Sequence, residues 1–249
     1  MKIILNALCL CFLMGICARP LHAQTNKKGV GLAESEGWTG QQLQDLQVSW
    51  YYSWGVASDM KTHVPFVPMI FSIRKMNALP HAPVVLGFNE PDNAKQSNIS
   101  VEDALAVWPQ LAGQAKRLGS PAVAGHPVRG DWLPTFMKAN PKVDFVTMHW
   151  YKGADANKFI KDVQSLCDAY QKPVWVTEFA PQTAAQSKES PTKYSQAQVN
   201  QFIQETVRWM HANSCVERFA WHDAKTGTSA LWDRKGNLTP TGKAYAEAR

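Results

Sequence analysis

Residues 83–92 read Pro-Val-Val-Leu-Gly-Phe-Asn-Glu-Pro-Asp, and residues 173–180 read Pro-Val-Trp-Val-Thr-Glu-Phe-Ala. Each stretch is an apolar run of strand length that ends in a glutamate, Glu90 in the first and Glu178 in the second. Pro91 cannot donate to a strand ladder, so the first run must stop there. The two stretches therefore predict buried strands that each carry a carboxylate at the carboxyl end.

Short apolar runs of the same kind recur along the chain and alternate with amphipathic, helix-like stretches. The eight candidate strands are Gly29–Ala33, Val48–Trp54, Pro65–Phe71, Pro83–Phe88, Pro121–Ala124, Val143–Tyr151, Pro173–Phe179 and Glu217–Trp221. The candidate helices are Thr39–Leu46, Val101–Arg117, Asp131–Ala139, Asp155–Tyr170, Gln196–His211 and Pro240–Ala248. This alternation predicts an α/β fold, a single (β/α)8 TIM barrel over residues 24–249.

A doubly wound open sheet is the alternative fold. No Gly-x-Gly-x-x-Gly loop follows the first candidate strand, which disfavours dinucleotide binding. In a TIM barrel the chemistry gathers at the carboxyl ends of the strands, where Glu90 and Glu178 stand.

The N-terminus has the pattern of a secretory signal peptide. Lys2 precedes an uncharged apolar run, and Leu21-His22-Ala23 ends in a small residue suited to cleavage before Gln24. The run of about 12 residues is shorter than the roughly 20 needed to span a bilayer. We therefore predict a signal peptide over residues 1–23, a secreted or periplasmic product, and no membrane association after cleavage.

The composition excludes several classes of protein. With 249 residues, 45% hydrophobic residues and a net charge of +6, the chain is neither disordered nor a disulfide scaffold. A nucleic-acid partner is not expected, because no concentrated Lys/Arg stripe is present. Of the five cysteines, Cys167 and Cys215 lie outside the signal sequence, and the sequence leaves open whether they form a disulfide or two separate buried thiols.

Two facing carboxylates are what glycoside hydrolysis requires, one as a proton donor and one as a nucleophile. If side chains alternate across each strand, Val174, Val176 and Glu178 share one face, as do Leu86, Phe88 and Glu90. With those faces turned inward, both glutamates would crown the barrel interior. The same alternation would send Asn89 to the opposite face, so a bulge or twist is required there.

Several segments in this order resemble the retaining glycoside hydrolases of clan A and, more specifically, glycoside hydrolase family 128, the compact β-1,3-glucanases. The matching segments are Lys28–Leu32, Trp50–Trp54, Leu86–Asp92, His149–Tyr151, Thr177–Phe179, Phe219–Trp221 and Leu238–Gly242. They sample nearly all of the chain after the signal sequence.

The resemblance implies roles for the residues at these positions. Glu90 would be the acid/base and Glu178 the nucleophile of a retaining endo-β-1,3-glucanase. Asn89 would bind the sugar 2-hydroxyl group, an interaction that strengthens in the transition state. His149 and Tyr151 would line the cleft from one face of their strand, with Tyr151 close to the nucleophile.

Aromatic residues would supply platforms for the sugar rings. Trp50, Tyr52 and Trp54 alternate on one face, with Trp50 assigned to the core and Trp54 facing either core or ligand. Trp221 resembles the clan's tryptophan at the floor of the central subsite. Trp232 would extend the cleft wall, and Glu34, at the end of the first strand, would contact sugar.

The substrate is less well defined than the catalytic pair. A β-1,4-linked or mixed-linkage glucan, exo action, and a non-catalytic glucan-binding barrel remain alternatives. The expected partner is a β-glucan polysaccharide or oligosaccharide bound by a monomer. No cofactor and no metal ion are expected, although His149 and Glu178 could be assembled into a metal site.

Overall fold

The computed structural model describes residues 26–34, 37, 39–78 and 81–249, so the predicted signal peptide lies outside the described residues. The strands are β1 (Lys28–Gly31), β2 (Trp50–Tyr52), β3 (Ala82–Val85), β4 (Ala115–Leu118), β5 (Val146–Trp150), β6 (Val174–Phe179) and β7 (Val216–His222). The helices are α1 (Gly40–Asp45), α2 (Val101–Gln114), α3 (Trp132–Lys138), α4 (Ala156–Tyr170), α5 (Ala184–Glu189), α6 (Gln196–Ala212) and α7 (Pro240–Glu247). A 3₁₀ turn covers Ile73–Ala78. No helix among the described residues is both long and apolar enough to cross a membrane.

Every ladder between strands is parallel, as the alternation predicts. Five strands form one sheet in the order β2-β1-β7-β6-β5, and β3 pairs with β4 in a second sheet. Isolated parallel bridges connect the two sheets: Tyr51–Phe66, Met69–Leu86 and Gly119–Phe145. The prediction of a parallel α/β fold is confirmed, but the ladders among the described residues do not close into one eight-stranded barrel.

Two of the predicted strands differ from the observed elements. Residues 65–71 make bridges on both sides without forming a ladder. The strand expected at 121–124 begins instead at Ala115, within the predicted helix, so α2 ends at Gln114. Residues 115–118 are good helix formers, but pairing of Ala115 with Ala82 and of Leu118 with Val85 overrides that preference.

Two apolar layers flank the strands. The inner layer contains Trp50, Tyr52, Val67, Met69, Leu86, Phe145, Trp175 and Ala220. A larger outer layer packs the strands against the helices. Gly31 leaves room for the inner layer, because a Cβ there would lie 2.8 Å from the Tyr52 ring.

Cys167 and Cys215 form a disulfide, which decides the point that the sequence left open. The bridge joins the last turns of α4 to the residue before β7. It lies at the amino end of β7, away from the carboxyl ends of the strands.

Candidate active site

A cavity of about 260 Å³ opens at the carboxyl ends of the strands. The residues lining it are Trp54, Phe71, Asn89, Glu90, Gln96, Glu178 and His222. Four of these seven are predicted site residues: Trp54, Asn89, Glu90 and Glu178. The fold thus brings together the strand-end glutamates that are 88 positions apart in the sequence.

Hydrogen-bond donors surround the carboxylate of Glu178. Trp54 Nε1 donates to Oε1 at 2.7 Å and Tyr52 Oη donates to the same oxygen at 3.0 Å. The Tyr151 hydroxyl donates to Oε2. Because Glu178 is buried, these donors hold a negative charge in a place that water scarcely reaches.

His149 lies between the two glutamates. Its Nδ1 is 3.0 Å from Glu90 Oε1, in hydrogen-bond geometry. Its Nε2 is 3.3 Å from Glu178 Oε1, close enough for a charge interaction but not aligned as a hydrogen bond. On the other side, Asn93 Nδ2 donates to Glu90 Oε2 at 3.0 Å. One oxygen of each carboxylate and one nitrogen of His149 all lie within 4.8 Å of one another.

Local backbone irregularities aim both glutamates into the cavity. Glu90 has φ 43°, in the left-handed region, which lets Asn89 and Glu90 reach the same cavity from adjacent positions. In β6 the pairing with β7 shifts between Val176 and Phe179. This bulge turns Glu178 inward although Val174 and Val176 pack in the outer layer.

The electrostatic surroundings favour an ionised Glu178. Burial alone would raise the pKa of Glu178, but His149, His222 and the Tyr151 and Trp54 hydrogen bonds outweigh it and hold the pKa below its ordinary value. Burial alone would lower the pKa of His149, but the charges of Glu178 and Glu90 outweigh burial and hold this pKa above its ordinary value. Burial also raises the pKa of Tyr151, so this hydroxyl stays a donor.

Three predicted site residues lie elsewhere. Trp221 is fully buried and packs against Phe179 and Tyr245 in the outer layer, because its neighbour His222 takes the inward position at the end of β7. The expectation that Trp221 forms the cleft floor is therefore corrected.

Trp232 and Glu34 do not line the cavity between the glutamates either. Trp232 is buried beside a separate cavity of about 600 Å³ near α1. Glu34 accepts a hydrogen bond from the Asp59 backbone through Oε2. Both residues lie outside the strands, where alternation does not indicate which side chains reach the cavity.

The structure adds site residues that the sequence did not single out. Tyr52 is a direct donor to Glu178, and its place between Trp50 and Trp54 in the alternating aromatic strand was the available signal. The ring of His222 packs edge-on against Trp54 and Tyr151, at centroid distances of 5.5 and 5.4 Å. No strand pattern in the sequence marks Gln96, because it reaches the cavity from the loop after Glu90.

The spacing of Glu90, His149 and Glu178 would also suit a metal ion. The donor pattern fits a free carboxylate better. Both oxygens of Glu178 already accept hydrogen bonds from Trp54, Tyr52 and Tyr151, and N–H and O–H donors stabilise an anion rather than a cation ligand set. The expectation that no metal is used stays a prediction.

Comparison with known proteins gives a family and a set of related structures. The family described as "Glycosyl hydrolase catalytic core" matches residues 29–245. No curated protein matches. A crystal structure of a family 128, subgroup I, endo-β-1,3-glucanase from Amycolatopsis mediterranei in complex with laminarihexaose is 32% identical, with a TM-score of 0.77, and the match covers 90% of this chain and 100% of that one.

Two further related structures carry different activities. A subgroup V exo-β-1,3-glucanase from Cryptococcus neoformans is 25% identical, with a TM-score of 0.73, over 88% of this chain and 97% of that one. A subgroup VII oligosaccharide-binding protein from Trichoderma gamsii is 26% identical, with a TM-score of 0.74, over 92% of this chain and 96% of that one.

Proposed function

We propose that this chain, which belongs to the glycosyl hydrolase catalytic core family and to glycoside hydrolase family 128, is a retaining endo-β-1,3-glucanase. Glu178 is the nucleophile and Glu90 the acid/base. The observation that carries the proposal is the approach of the two carboxylates, with oxygens within 4.8 Å across one cavity. This spacing supports double displacement, which uses carboxyl groups about 5–5.5 Å apart, against roughly 6.5–9.5 Å for inversion.

In the first step Glu90 gives its proton to the glycosidic oxygen as the bond to the anomeric carbon breaks. The Glu178 carboxylate attacks that carbon and forms the glycosyl-enzyme. The Glu178 pKa, held low by the charge of His149 and by its donors, supports this division of roles. His149 Nδ1 and Asn93 Nδ2 orient the Glu90 carboxyl group toward the leaving oxygen.

In the second step the Glu90 carboxylate takes a proton from water, and the hydroxide attacks the anomeric carbon. Glu178 departs as a carboxylate and regains its charge. The hydrogen bonds from Trp54, Tyr52 and Tyr151 stabilise that returning charge, so they favour release of the sugar.

Asn89 is the candidate ligand of the sugar 2-hydroxyl. Its Oδ1 is buried without a hydrogen-bond partner among the described residues, at the wall of the cavity. A sugar hydroxyl group that donates to this buried acceptor would relieve the cost of leaving it without a hydrogen bond, which favours binding. The wall formed by Trp54 and Phe71 offers apolar surface to a sugar ring.

The closed (β/α)8 barrel belongs to the same proposal. Isolated bridges link residues 66–69 to β2 and to the segment after β3, and the residue after β4 to the residue before β5, so the seven strands and residues 66–69 each have a neighbour on both sides, which supports closure. Secretion is proposed as well. A disulfide is typical of proteins that fold in oxidising compartments, which supports export by the predicted signal peptide.

The test is product analysis with linear β-1,3-glucan and, in parallel, a β-1,4-glucan. A ladder of β-1,3-oligosaccharides from the first substrate alone is expected, and Glu178→Gln should abolish it while keeping the wild-type thermal transition. A single small product would instead indicate exo action. Cleavage of only the β-1,4-glucan would refute the linkage, and binding without any product would place the chain with the oligosaccharide-binding members.

A further inference from the structure

Asp162 lies on α4 and is a buried carboxylate outside the catalytic pair, only 3% exposed. Its two oxygens bind two different segments. Oδ1 accepts from Arg129 at 2.8 Å and lies 3.2 Å from His126 Nε2. Oδ2 accepts from Lys152 Nζ at 2.9 Å and Trp150 Nε1 at 3.1 Å.

The Oδ2 side leads to the nucleophile. Trp150 and Lys152 immediately flank Tyr151, whose hydroxyl donates to Glu178. Fixing both neighbours fixes the direction of the Tyr151 side chain between them. A shift of this hydroxyl by a fraction of an ångström would weaken a hydrogen bond to a buried charge.

The Oδ1 side leads to the acid/base. His126 Nδ1 accepts from the backbone N–H groups of Val128 and Arg129, so Nε2 carries the proton that faces Asp162. The preceding residues of the same loop donate backbone N–H groups to both oxygens of Asp92, each at 2.8 Å. Asp92 is two residues from Glu90, whose own N–H donates to Ala122 O at 2.7 Å.

We infer that Asp162 is a positioning residue. Its one carboxylate holds both the loop after β4 and the end of β5, and so fixes Tyr151, and through it Glu178, in position relative to Glu90. The inference rests on the proposed function for its kinetic consequence. Its structural content, a shared anchor for two segments, does not depend on the reaction.

Asp162→Asn is the informative substitution, because an amide keeps the size of the side chain but has a single acceptor oxygen and can serve only one of the two segments. Loss of transition-state alignment should lower kcat about 10-fold while KM stays within about twofold. The matched control is Glu217→Gln, which breaks the ion pair between Arg117 of β4 and Glu217 at the amino end of β7. The control should leave kcat and KM unchanged.

A double-mutant cycle separates positioning from general destabilisation. In a Tyr151→Phe background the effect of Asp162→Asn on kcat should shrink severalfold, because the hydroxyl that Asp162 aims is already gone. Equal effects in both backgrounds would overturn the route through Tyr151. If Asp162→Asn does not fold, Lys152→Met and Arg129→Met test the two sides one at a time.

Amide hydrogen exchange tests whether Asp162 anchors both segments and needs no activity measurement. In Asp162→Asn the amides of residues 122–130 and 148–152 should both exchange faster than in the wild type and in Glu217→Gln. Unchanged exchange in either segment would overturn the shared anchor. If the wild-type chain releases no product, the proposed function fails while this measurement still decides the inference.

Discussion

Tyr151 contacts the buried carboxylate of Glu178 directly. Its hydroxyl donates to Glu178 Oε2, whereas Tyr52 and Trp54 both donate to Oε1. Tyr151 stands one residue beyond β5, on the same face as His149, so one strand end positions both a donor to Glu178 and the link to Glu90.

Tyr151→Phe removes one donor to a buried charge and leaves the ring contact with His222 in place. A hydrogen bond to a charged group contributes about 1.5–3 kcal/mol, so kcat should fall roughly 10- to 100-fold. Steady-state kinetics on a β-1,3-oligosaccharide measures this. Unaltered kcat in a folded variant would show that the hydroxyl does not stabilise the nucleophile.

The pH profile follows from the pKa of Glu178, which His149 and the donors hold below the ordinary glutamate value of 4.5 despite burial. In its proposed role as nucleophile Glu178 must be ionised, so the acid limb of kcat/KM should lie below pH 4.5. A depressed pKa also stabilises the fold above the unfolded value, and this contribution is lost as the pH falls through the folded one. The groups facing the carboxylate are Tyr52, Trp54, His149, Tyr151, His222 and Glu90.

In Tyr151→Phe the acid limb should move to higher pH, because one interaction that favours the charged form is missing. A limb that stays in place would assign the titration to another group. The comparison needs only kcat/KM measured across pH for the two proteins.

Alternation of side chains along a strand predicts which residues face the site only where the ladders are regular. In β5, His149 and Tyr151 do reach the same side, as the sequence indicates. In β6 the alternation predicts Val174 and Val176 with Glu178, but the bulge after Val176 places the two valines in the outer layer and only Glu178 inside. At Glu90 the sequence does predict an irregularity, because Asn89 and Glu90 could not otherwise share a face, and the structure provides it as a positive φ. The two glutamates can be identified from the sequence because each ends an apolar run. The direction in which their side chains point depends on backbone irregularities that arise from tertiary pairing.

Strand β1 influences the site without carrying any site residue. A Cβ on Gly31 would meet the Tyr52 ring at 2.8 Å and its hydroxyl at 3.0 Å. Gly31→Ala should therefore displace the donor to Glu178, destabilise the protein by about 1–3 kcal/mol and lower kcat. Thermal denaturation and kinetics measure the two effects.

Gly113→Ala in α2 is the matched control, because apart from the nearby backbone of its own helix no described atom lies within 4 Å of a Cβ there. It should stabilise the helix by about 0.5–1 kcal/mol and leave kcat unchanged. Equal kinetics for the Gly31 and Gly113 variants would contradict the close packing of β1 against Tyr52.

The disulfide closes a loop of 48 residues between α4 and β7 and so constrains the chain as a whole. By the loop-entropy relation, replacing both cysteines with alanine should lower the free energy of unfolding by about 4 kcal/mol. The variant should retain its activity at urea concentrations below its lowered unfolding midpoint, since the disulfide is remote from the cavity. Urea denaturation measures the loss, and an unaltered midpoint would show that the bridge does not constrain the unfolded chain.

The parallel α/β architecture was predictable from the alternation of apolar runs and amphipathic stretches. The error at 115–118 arose because local helix preference there opposes pairing with β3, and only the assembled sheet decides between them. Trp221 was misplaced for the same reason, since whether Trp221 or His222 faces inward depends on the register of β7 against its neighbours.

Retention at the anomeric carbon, with Glu90 and Glu178 as the proposed pair, can be tested by ¹H NMR. The anomeric protons are followed during the first minutes of hydrolysis of a β-1,3-gluco-oligosaccharide, before mutarotation. Two displacements at the anomeric carbon predict that the β-anomer of the new reducing end appears first, and that Glu178→Gln gives no signal. An α-anomer formed first, or product formation undiminished in Glu178→Gln, would contradict the claim.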